Sequence, residues 1–141
     1  MDRKQFIPWV VATLRDSAWA PLSVFLFYLF GLALHLYDRF PPLDIPVHFM
    51  GGVAITYFFR GAIRNLQDFL GELPALVQTI FAFTCTGTTI IFWELYENAF
   101  DFLLGTHMVR GLEDTIVDMV LGLLGALVLS VLYRGSQSYR K

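Results

Sequence analysis

The sequence predicts an all-α integral membrane protein, a four-helix bundle preceded by an interfacial amphipathic helix. Hydrophobic residues make up 56% of the 141-residue chain, and the mean hydropathy is +0.58. Only 16% of the residues are charged, against roughly a quarter in soluble domains. These charges cluster between apolar blocks instead of following one face of each helix, a pattern that favours spanning segments. We expect one membrane domain, residues 1–141.

Crossing a hydrocarbon core of about 30 Å takes roughly 20 helical residues. Four segments approach that length, at approximately residues 18–37, 45–63, 75–96 and 116–133. Ahead of them, residues 1–16 mix large apolar side chains with Arg3 and Lys4, which predicts the interfacial helix. Asp44 stands where an N-cap residue would open the second span, and Pro46 is tolerated in its first turn. Short connections predict that consecutive helices are antiparallel neighbours.

The distribution of Lys and Arg predicts the orientation in the membrane. If the N-terminus is cytoplasmic, eight basic residues lie on that side: Arg3, Lys4, Arg15, Arg60, Arg64, Arg134, Arg140 and Lys141. Only Arg39 and Arg110 lie on the other side. Because cytoplasmic loops carry an excess of basic residues, both termini are expected in the cytoplasm.

With this orientation, most ionisable residues form one layer near the outer surface. The layer contains eight of the twelve acids and all three histidines: Asp38, Asp44, Glu94, Glu97, Asp101, Glu113, Asp114, Asp118, His35, His48 and His107. Helical spacing places several of them on shared faces: Glu94, Glu97 and Asp101; Asp44 and His48; Asp114 and Asp118. We therefore expect these faces to converge on one mouth between the helices.

Small residues continue the same faces toward the membrane interior. Gly51 and Gly52 follow His48, whereas Gly122, Gly125 and Ala126 follow Asp118. Small residues allow helix backbones to approach closely in membranes, so tight packing is expected below the polar mouth. The run from Thr84 to Thr89 predicts close packing as well, with hydroxyls bonded to the helix backbone.

Carboxylates a few ångströms apart at a low-dielectric boundary need protonation or a compensating cation. The compensation could come from a divalent metal, from Arg39 and Arg110, or from a cationic substrate. A mixed set of carboxylates and imidazole favours Mg²⁺, Mn²⁺, Ca²⁺ or Zn²⁺. The candidate metal ligands are His48, Glu94, Glu97, Asp114 and Asp118. The alternative is a solvated acidic rim that only helps to fix the topology.

Three segments together resemble a known family: "YDRFPPLDIPVHFMGGVAITYFFR", "FWELYENAFDFLLGT" and "GLEDTIVDMVLGLLGALV". In them an Asp/His-Phe element opens one helix, a Glu-bearing helix follows, and an Asp-x-x-x-Asp helix runs into Gly-Ala. This combination resembles the YjdF-like family of small bacterial inner-membrane proteins and, more distantly, VanZ-like proteins. The resemblance implies a bacterial cytoplasmic membrane location and a cell-envelope context.

The first functional hypothesis is a metal-dependent enzyme that acts on a lipid phosphate or lipid-linked headgroup at the outer leaflet. Its candidate catalytic residues are Asp44, His48, Glu94, Glu97 and Asp118, and Arg39 and Arg110 would bind the phosphate. The second hypothesis is a module that binds or transports cations or a small cationic compound as a homo-oligomer. The third is a structural partner in a membrane assembly. The expected partners are membrane lipids, and no basic stripe with interleaved aromatics points to nucleic acid.

Overall fold

A computed structural model describes residues 3–106 and 108–138, all of whose regular structure is helical. The predicted all-α class is therefore confirmed for this part of the chain. The helices are α1 (Arg3–Ser17), α2 (Trp19–Ala33), α3 (Leu36–Arg39), α4 (Asp44–Leu70), α5 (Ala75–Leu104) and α6 (Leu112–Ser138). A short 3₁₀ turn, Pro41–Leu43, connects α3 to α4. His107, Arg140 and Lys141, which the predicted layer and orientation included, lie outside the described residues, as do Met1 and Asp2 of the predicted interfacial helix.

Helix α4 is the central element, since it packs against α1, α2, α5 and α6. Its buried positions are mainly small or polar residues, among them Gly52, Ala54 and Thr56. Large apolar side chains of α2, α5 and α6 instead cover the outside of the molecule. This is the arrangement of a helical protein in lipid, where small residues bring helices together and apolar residues face the hydrocarbon.

Glycines allow α4 and α6 to approach closely, as the sequence predicts. A Cβ atom on Gly52 would overlap the carbonyl oxygen of Gly122, and one on Gly125 would overlap the carbonyl oxygen of Phe49. Gly51 differs, because a Cβ there would meet no heavy atom within 4 Å. The close α4–α6 contact therefore depends on Gly52 and Gly125, whereas a Cβ on Gly122 would meet the Ile90 side chain of α5.

Threonines form a closed polar layer between α4 and α5. The hydroxyls of Thr56 and Thr86 lie 3.0 Å apart, and both side chains are fully buried. Each hydroxyl is also 2.8 Å from a carbonyl oxygen of its own helix, that of Gly52 or Ala82. Thr88 and Thr89 likewise donate to the carbonyl oxygens four residues earlier. The prediction of backbone-bonded hydroxyls in the run from Thr84 to Thr89 is confirmed at these threonines.

Length and hydropathy identify two helices that are able to cross a membrane, Ala75–Leu104 and Leu112–Arg134. A third crossing results if Lys4–Ser17 and Trp19–Ala33, which meet at a bend of 58°, form one broken span. Helix α4 is not in this set, because its polar and charged residues lower its hydropathy. Two or three apolar spans are thus supported, whereas the four-span bundle and the interfacial position of residues 1–16 stay predictions.

The start of α4 differs from the prediction in one respect. Asp44 is the first helical residue and not the N-cap, a position that Leu43 occupies without a side-chain hydrogen bond. The Asp44 carboxylate is directed toward His48, one turn further along the helix. Asp44, which was expected to cap the helix, therefore contributes to the candidate site instead.

We predict that Gly52→Ala destabilises the fold by about 1–3 kcal/mol, because the added methyl group forces α4 away from α6. Gly51→Ala is the matched control, since its methyl group enters open space and alanine favours a helix over glycine. Thermal unfolding of both purified variants in detergent measures the difference. Equal melting temperatures for the two variants would contradict the proposed close contact.

Candidate functional site

His48 lies at the centre of a cluster of carboxylates that come from three helices. Its Nε2 atom is 3.4 Å from Asp44 Oδ1 and 3.8 Å from Asp118 Oδ2, and its Nδ1 atom is 3.8 Å from Glu94 Oε1. These distances exceed the usual 2.7–3.2 Å of a hydrogen bond to nitrogen. The imidazole is therefore surrounded by acids without being closely bonded to any of them.

The helix packing explains how these side chains meet. Asp44 and His48 are one turn apart on α4, and Asp118 reaches them from α6. Gly52 and Gly122, which form the close α4–α6 contact, lie one turn below His48 and Asp118, respectively. Because the two backbones approach at this level, the short aspartate side chain spans the remaining gap. Glu94 completes the cluster from α5.

Burial makes the cluster electrostatically demanding. The exposed fractions are 4% for Glu94, 5% for Glu97 and 6% for Asp118. The Tyr28 hydroxyl of α2 donates to Glu97 Oε1 over 2.8 Å. Glu94 Oε1, in contrast, accepts no hydrogen bond from the described residues. A buried carboxylate oxygen without a donor requires compensation from a proton or a cation.

Two overlapping sets of side chains have the geometry to hold a metal ion: Asp44, His48 and Asp118; and His48, Glu94 and Glu97. Within each set, one potential ligand atom per residue lies within 4.8 Å of the others. The shared imidazole has its two nitrogens directed toward different carboxylates. One side of the ring therefore faces Asp44 and Asp118, while the other faces Glu94.

Two cavities adjoin the cluster. The first, of about 400 Å³, has a mixed polar lining that includes Tyr37, Asp44, Glu97 and Arg110. The second, of about 250 Å³, is mainly apolar and is lined by residues such as Val24, Phe25, Ile55, Ile90 and Trp93. Tyr28, His48 and Asp118 line both cavities. The ionisable cluster thus lies between a polar space and an apolar one.

Residues 6–138 match the family described as "Predicted membrane protein (DUF2238)". The chain belongs to this family. DUF2238 membership is consistent with the YjdF-like resemblance, whereas the similarity to VanZ-like proteins stays a prediction.

One relative of this DUF2238 protein is an uncharacterized protein of Thermotoga maritima. The two are 32% identical over 114 residues, which cover 79% of this chain and 58% of the relative. The chain therefore spans little more than half of the length of that relative. No solved structure matches the DUF2238 chain.

Asp101 does not join the carboxylate cluster, although its spacing from Glu94 and Glu97 predicted that it would. Its Oδ1 atom accepts hydrogen bonds from Thr106 Oγ1 at 2.6 Å and from the Met108 amide at 2.8 Å. Its Oδ2 atom accepts a bond from the Val109 amide at 2.8 Å. Asp101 therefore fixes the loop between α5 and α6. The helical spacing did not predict this role, because the helix ends soon after Asp101 and the chain turns back.

Asp114, predicted as a metal ligand, belongs to neither candidate ligand set. Its Oδ2 atom accepts a hydrogen bond from the Arg110 amide at 3.0 Å, so it stabilises the entry to α6. The arginines predicted to bind phosphate also differ from one another. Arg110 is exposed and lines the polar cavity, whereas Arg39 is exposed and is not part of that lining.

Two tyrosines that are not among the predicted site residues, Tyr28 and Tyr37, border the cluster. Tyr28 is only 4% exposed and bonds to Glu97, and the Tyr37 hydroxyl is buried without a partner among the described residues. Tyr37 packs on Gly31, where a Cβ would lie 2.6 Å from its ring. The sequence carried one signal for the role of Tyr28. This tyrosine stands within the apolar first span, and a buried tyrosine hydroxyl normally has a hydrogen-bond partner.

We predict that Asp101→Asn loosens the α5–α6 loop, because the amide group cannot accept the bond that Val109 donates to Oδ2. Amide hydrogen exchange at Met108 and Val109 should become faster, while exchange in the middle of α5 stays unchanged. Glu113→Gln is the control, since Glu113 is exposed at the start of α6. Unaltered exchange of the loop in Asp101→Asn would show that these bonds do not hold it.

Proposed function

We propose that this protein is a metal-dependent membrane enzyme whose substrate is an amphipathic molecule with a phosphate or similar anionic headgroup. The single observation that carries this proposal is the buried cluster around His48, in which carboxylates of α4, α5 and α6 approach one imidazole within 3.4–3.8 Å. Such groups are costly inside a membrane protein unless a function or a bound ion compensates them.

The charge balance favours a divalent cation. Asp44, Glu94, Glu97 and Asp118 bring up to four negative charges, against at most one positive charge on His48. Carboxylate oxygens combined with an imidazole nitrogen suit Mn²⁺ or Zn²⁺, and the carboxylates also suit Mg²⁺ or Ca²⁺. The gaps around the imidazole, which are wider than hydrogen bonds, leave room for such an ion between the ligand atoms.

We assign the ion to the side of His48 that faces Asp44 and Asp118. These three residues all line the polar cavity, so an ion held there is accessible to a substrate. On the other side of the ring, Glu94 is positioned to accept a hydrogen from Nδ1 after a small movement. A carboxylate that orients a metal-binding histidine in this way is common in metal sites.

The remaining side chains of the polar cavity suggest how a reaction proceeds. A metal ion held by Asp44, His48 and Asp118 would polarise a phosphoryl oxygen or activate a water molecule, so that the phosphoester bond to the headgroup or lipid is exchanged for a bond to the water oxygen. Glu97, bonded to Tyr28, is the candidate general base. Tyr37, whose hydroxyl has no partner among the described residues, lines the same polar cavity. Arg110 at the cavity mouth would bind an anionic headgroup.

The apolar cavity supports an amphipathic substrate. It adjoins the polar cavity through Tyr28, His48 and Asp118, so a chain in the former would present its headgroup to the latter. A water-soluble substrate would make no use of the Phe25 and Trp93 side chains that line the apolar space. A lipid phosphate or lipid-linked headgroup fits both environments.

We further infer that α4 crosses the membrane with α5, α6 and the α1–α2 unit, which gives the four-span bundle. Its 27 residues extend over about 40 Å. Its polar residues lower its hydropathy, but Thr56, Arg60 and Asn65 are buried inside the protein and not exposed to lipid. The excess of basic residues near the Arg60 end supports a cytoplasmic location for that end in a bacterial inner membrane.

Cation transport is less well supported. The layer formed by Thr56 and Thr86 lies between the His48 cluster and the other end of α4, and both hydroxyls are occupied by each other and by the helix backbone. A translocation path would have to break this layer. We therefore favour an enzyme over a transporter.

We predict that the purified protein retains a divalent metal, and that Asp118→Asn or His48→Gln lowers the affinity at least about 100-fold, because each variant removes a ligand. Asp114→Asn and Glu113→Gln should change it little. Elemental analysis and calorimetric titration measure these effects. Affinity should also fall as pH is lowered, since protons compete with the metal for the carboxylates and the imidazole. Unchanged affinity in both ligand variants would exclude the proposed metal site.

We predict that proteoliposomes loaded with metal release the headgroup of a phospholipid or lipid-linked phosphate, and that Glu97→Gln abolishes the release while metal binding persists. Phosphorus NMR of the products measures turnover. Uptake of the metal ion into the same vesicles, measured in parallel, tests transport. Uptake without headgroup release would support the transport hypothesis and contradict the enzyme.

A further inference from the structure

A second polar cavity lies at the other end of the molecule, twelve residues along α4 from His48, or about 18 Å. Its volume is about 170 Å³, well above the roughly 10–15 Å³ that a single water requires. Residues of α1, α4, α5 and α6 line it, including Ser17, Arg60, Arg64, Gln67, Gln78 and Tyr133. The lining contains two arginines and no acid.

Arg60 is the principal feature of this cavity. It is only 7% exposed, and its Nη1 atom donates a hydrogen bond to Thr79 Oγ1 at 3.3 Å. The guanidinium carbon lies 4.2 Å from the centre of the Tyr133 ring, a cation–π contact. Among residues 4–106 and 108–134, no carboxylate lies within ion-pair distance of Arg60.

These contacts leave most of the hydrogen-bonding capacity of Arg60 unused. A guanidinium carries five N–H donors in a planar fork, and it keeps its charge at any ordinary pH. Thr79 accepts one of these hydrogens, and the Tyr133 ring covers one face. A buried cation with several free donors requires an anion or water in the adjoining space.

Ser17 adds a second unsatisfied group. Its hydroxyl is 1% exposed and has no hydrogen-bond partner among the described residues, yet it lines the same cavity. It is held there because α1 packs against Gly61, where a Cβ would overlap the Ser17 hydroxyl. Arg64, which is exposed, supplies a further positive charge at the cavity edge.

We propose that this cavity, lined by Arg60, Ser17 and Arg64, binds a phosphate-bearing anion. The planar fork of Arg60 would bind two phosphate oxygens, the Ser17 hydroxyl would donate to a third, and Arg64 would attract the anion from the surface. The phosphate belongs either to free inorganic phosphate or to a phospholipid headgroup at that membrane surface. The site is independent of the metal centre, since the Thr56–Thr86 layer separates them.

Thermal unfolding in lipid-free detergent tests whether the cavity binds free inorganic phosphate. Inorganic phosphate should raise the melting temperature above that in sodium chloride of equal ionic strength, because a ligand of the native state stabilises it. Arg60→Gln should weaken the apparent phosphate affinity about tenfold or more, as expected for lost charged hydrogen bonds. Arg134→Gln is the matched control, an exposed arginine near the same end that does not line the cavity.

Lipid retention tests whether the cavity binds the phosphate of a phospholipid headgroup. Wild-type protein in nanodiscs of mixed phosphatidylglycerol and phosphatidylcholine should retain phosphatidylglycerol through detergent extraction, as measured by native mass spectrometry. Arg64→Gln should reduce this retention and is available even if Arg60→Gln does not fold. Phosphate stabilisation alone assigns the site to a free anion, and lipid retention alone assigns it to a headgroup. No phosphate effect and no selective retention in the wild type would overturn the proposal.

Discussion

The energetic cost of charge inside a membrane protein controls the arrangement of this structure. An ionisable group within the hydrocarbon region costs about 2.5–3.5 kcal/mol or more when it is not compensated. Three buried carboxylates, Glu94, Glu97 and Asp118, and the buried Arg60 are nevertheless placed along α4 and its neighbours, beside the partly buried Asp44 and His48. Each group is enclosed by protein, and most approach a partner: His48 approaches Asp44, Glu94 and Asp118, and Tyr28 donates to Glu97. Where compensation from the chain is incomplete, at Arg60, the side chain lines a cavity, and at Glu94 the neighbouring His48 does so.

The helices associate through close backbone packing and not through a large hydrophobic core. The fully buried side chains are small or polar, such as Thr56, Thr86, Ala82 and Ala126, whereas large apolar residues cover the exterior. In lipid, this distribution allows close backbone approach and leaves apolar surface to the hydrocarbon. The Gly52–Gly122 contact therefore has two effects, since it holds α4 against α6 and also places Asp118 within reach of His48.

The periodicity of the sequence predicted the helix starts and the shared helix faces, but it did not predict the structure of the loops in which the chain reverses direction. The helix starts near residues 44 and 75, the shared face of Asp44 and His48, and the small residues below Asp118 all follow from spacing and turn chemistry. The hydrogen bonds of Asp101 and Asp114 to backbone amides of the α5–α6 connection were not predicted, because spacing identifies a face but not the loop that folds back to meet it. The extension of α4 to Leu70 was also missed, since apolar length alone ends the span near Ile63. The partner of Tyr28 could be identified only from tertiary contacts, because Glu97 is distant in sequence.

The bend of 58° between α1 and α2 has a mechanical consequence. Trp9 anchors α1 by donating to the Ala62 carbonyl oxygen on α4. Helix α2 meets α5 through edge-on contacts of Phe25 and Tyr28 with Trp93 and through the hydrogen bond from Tyr28 to Glu97. Edge-on aromatic contacts tolerate sliding more readily than a glycine-mediated backbone contact does. If α2 tilts about this bend, the part of the apolar cavity wall that α2 forms moves outward, while α1 stays in place against α4. The apolar cavity would then open sideways to the lipid phase and not to water.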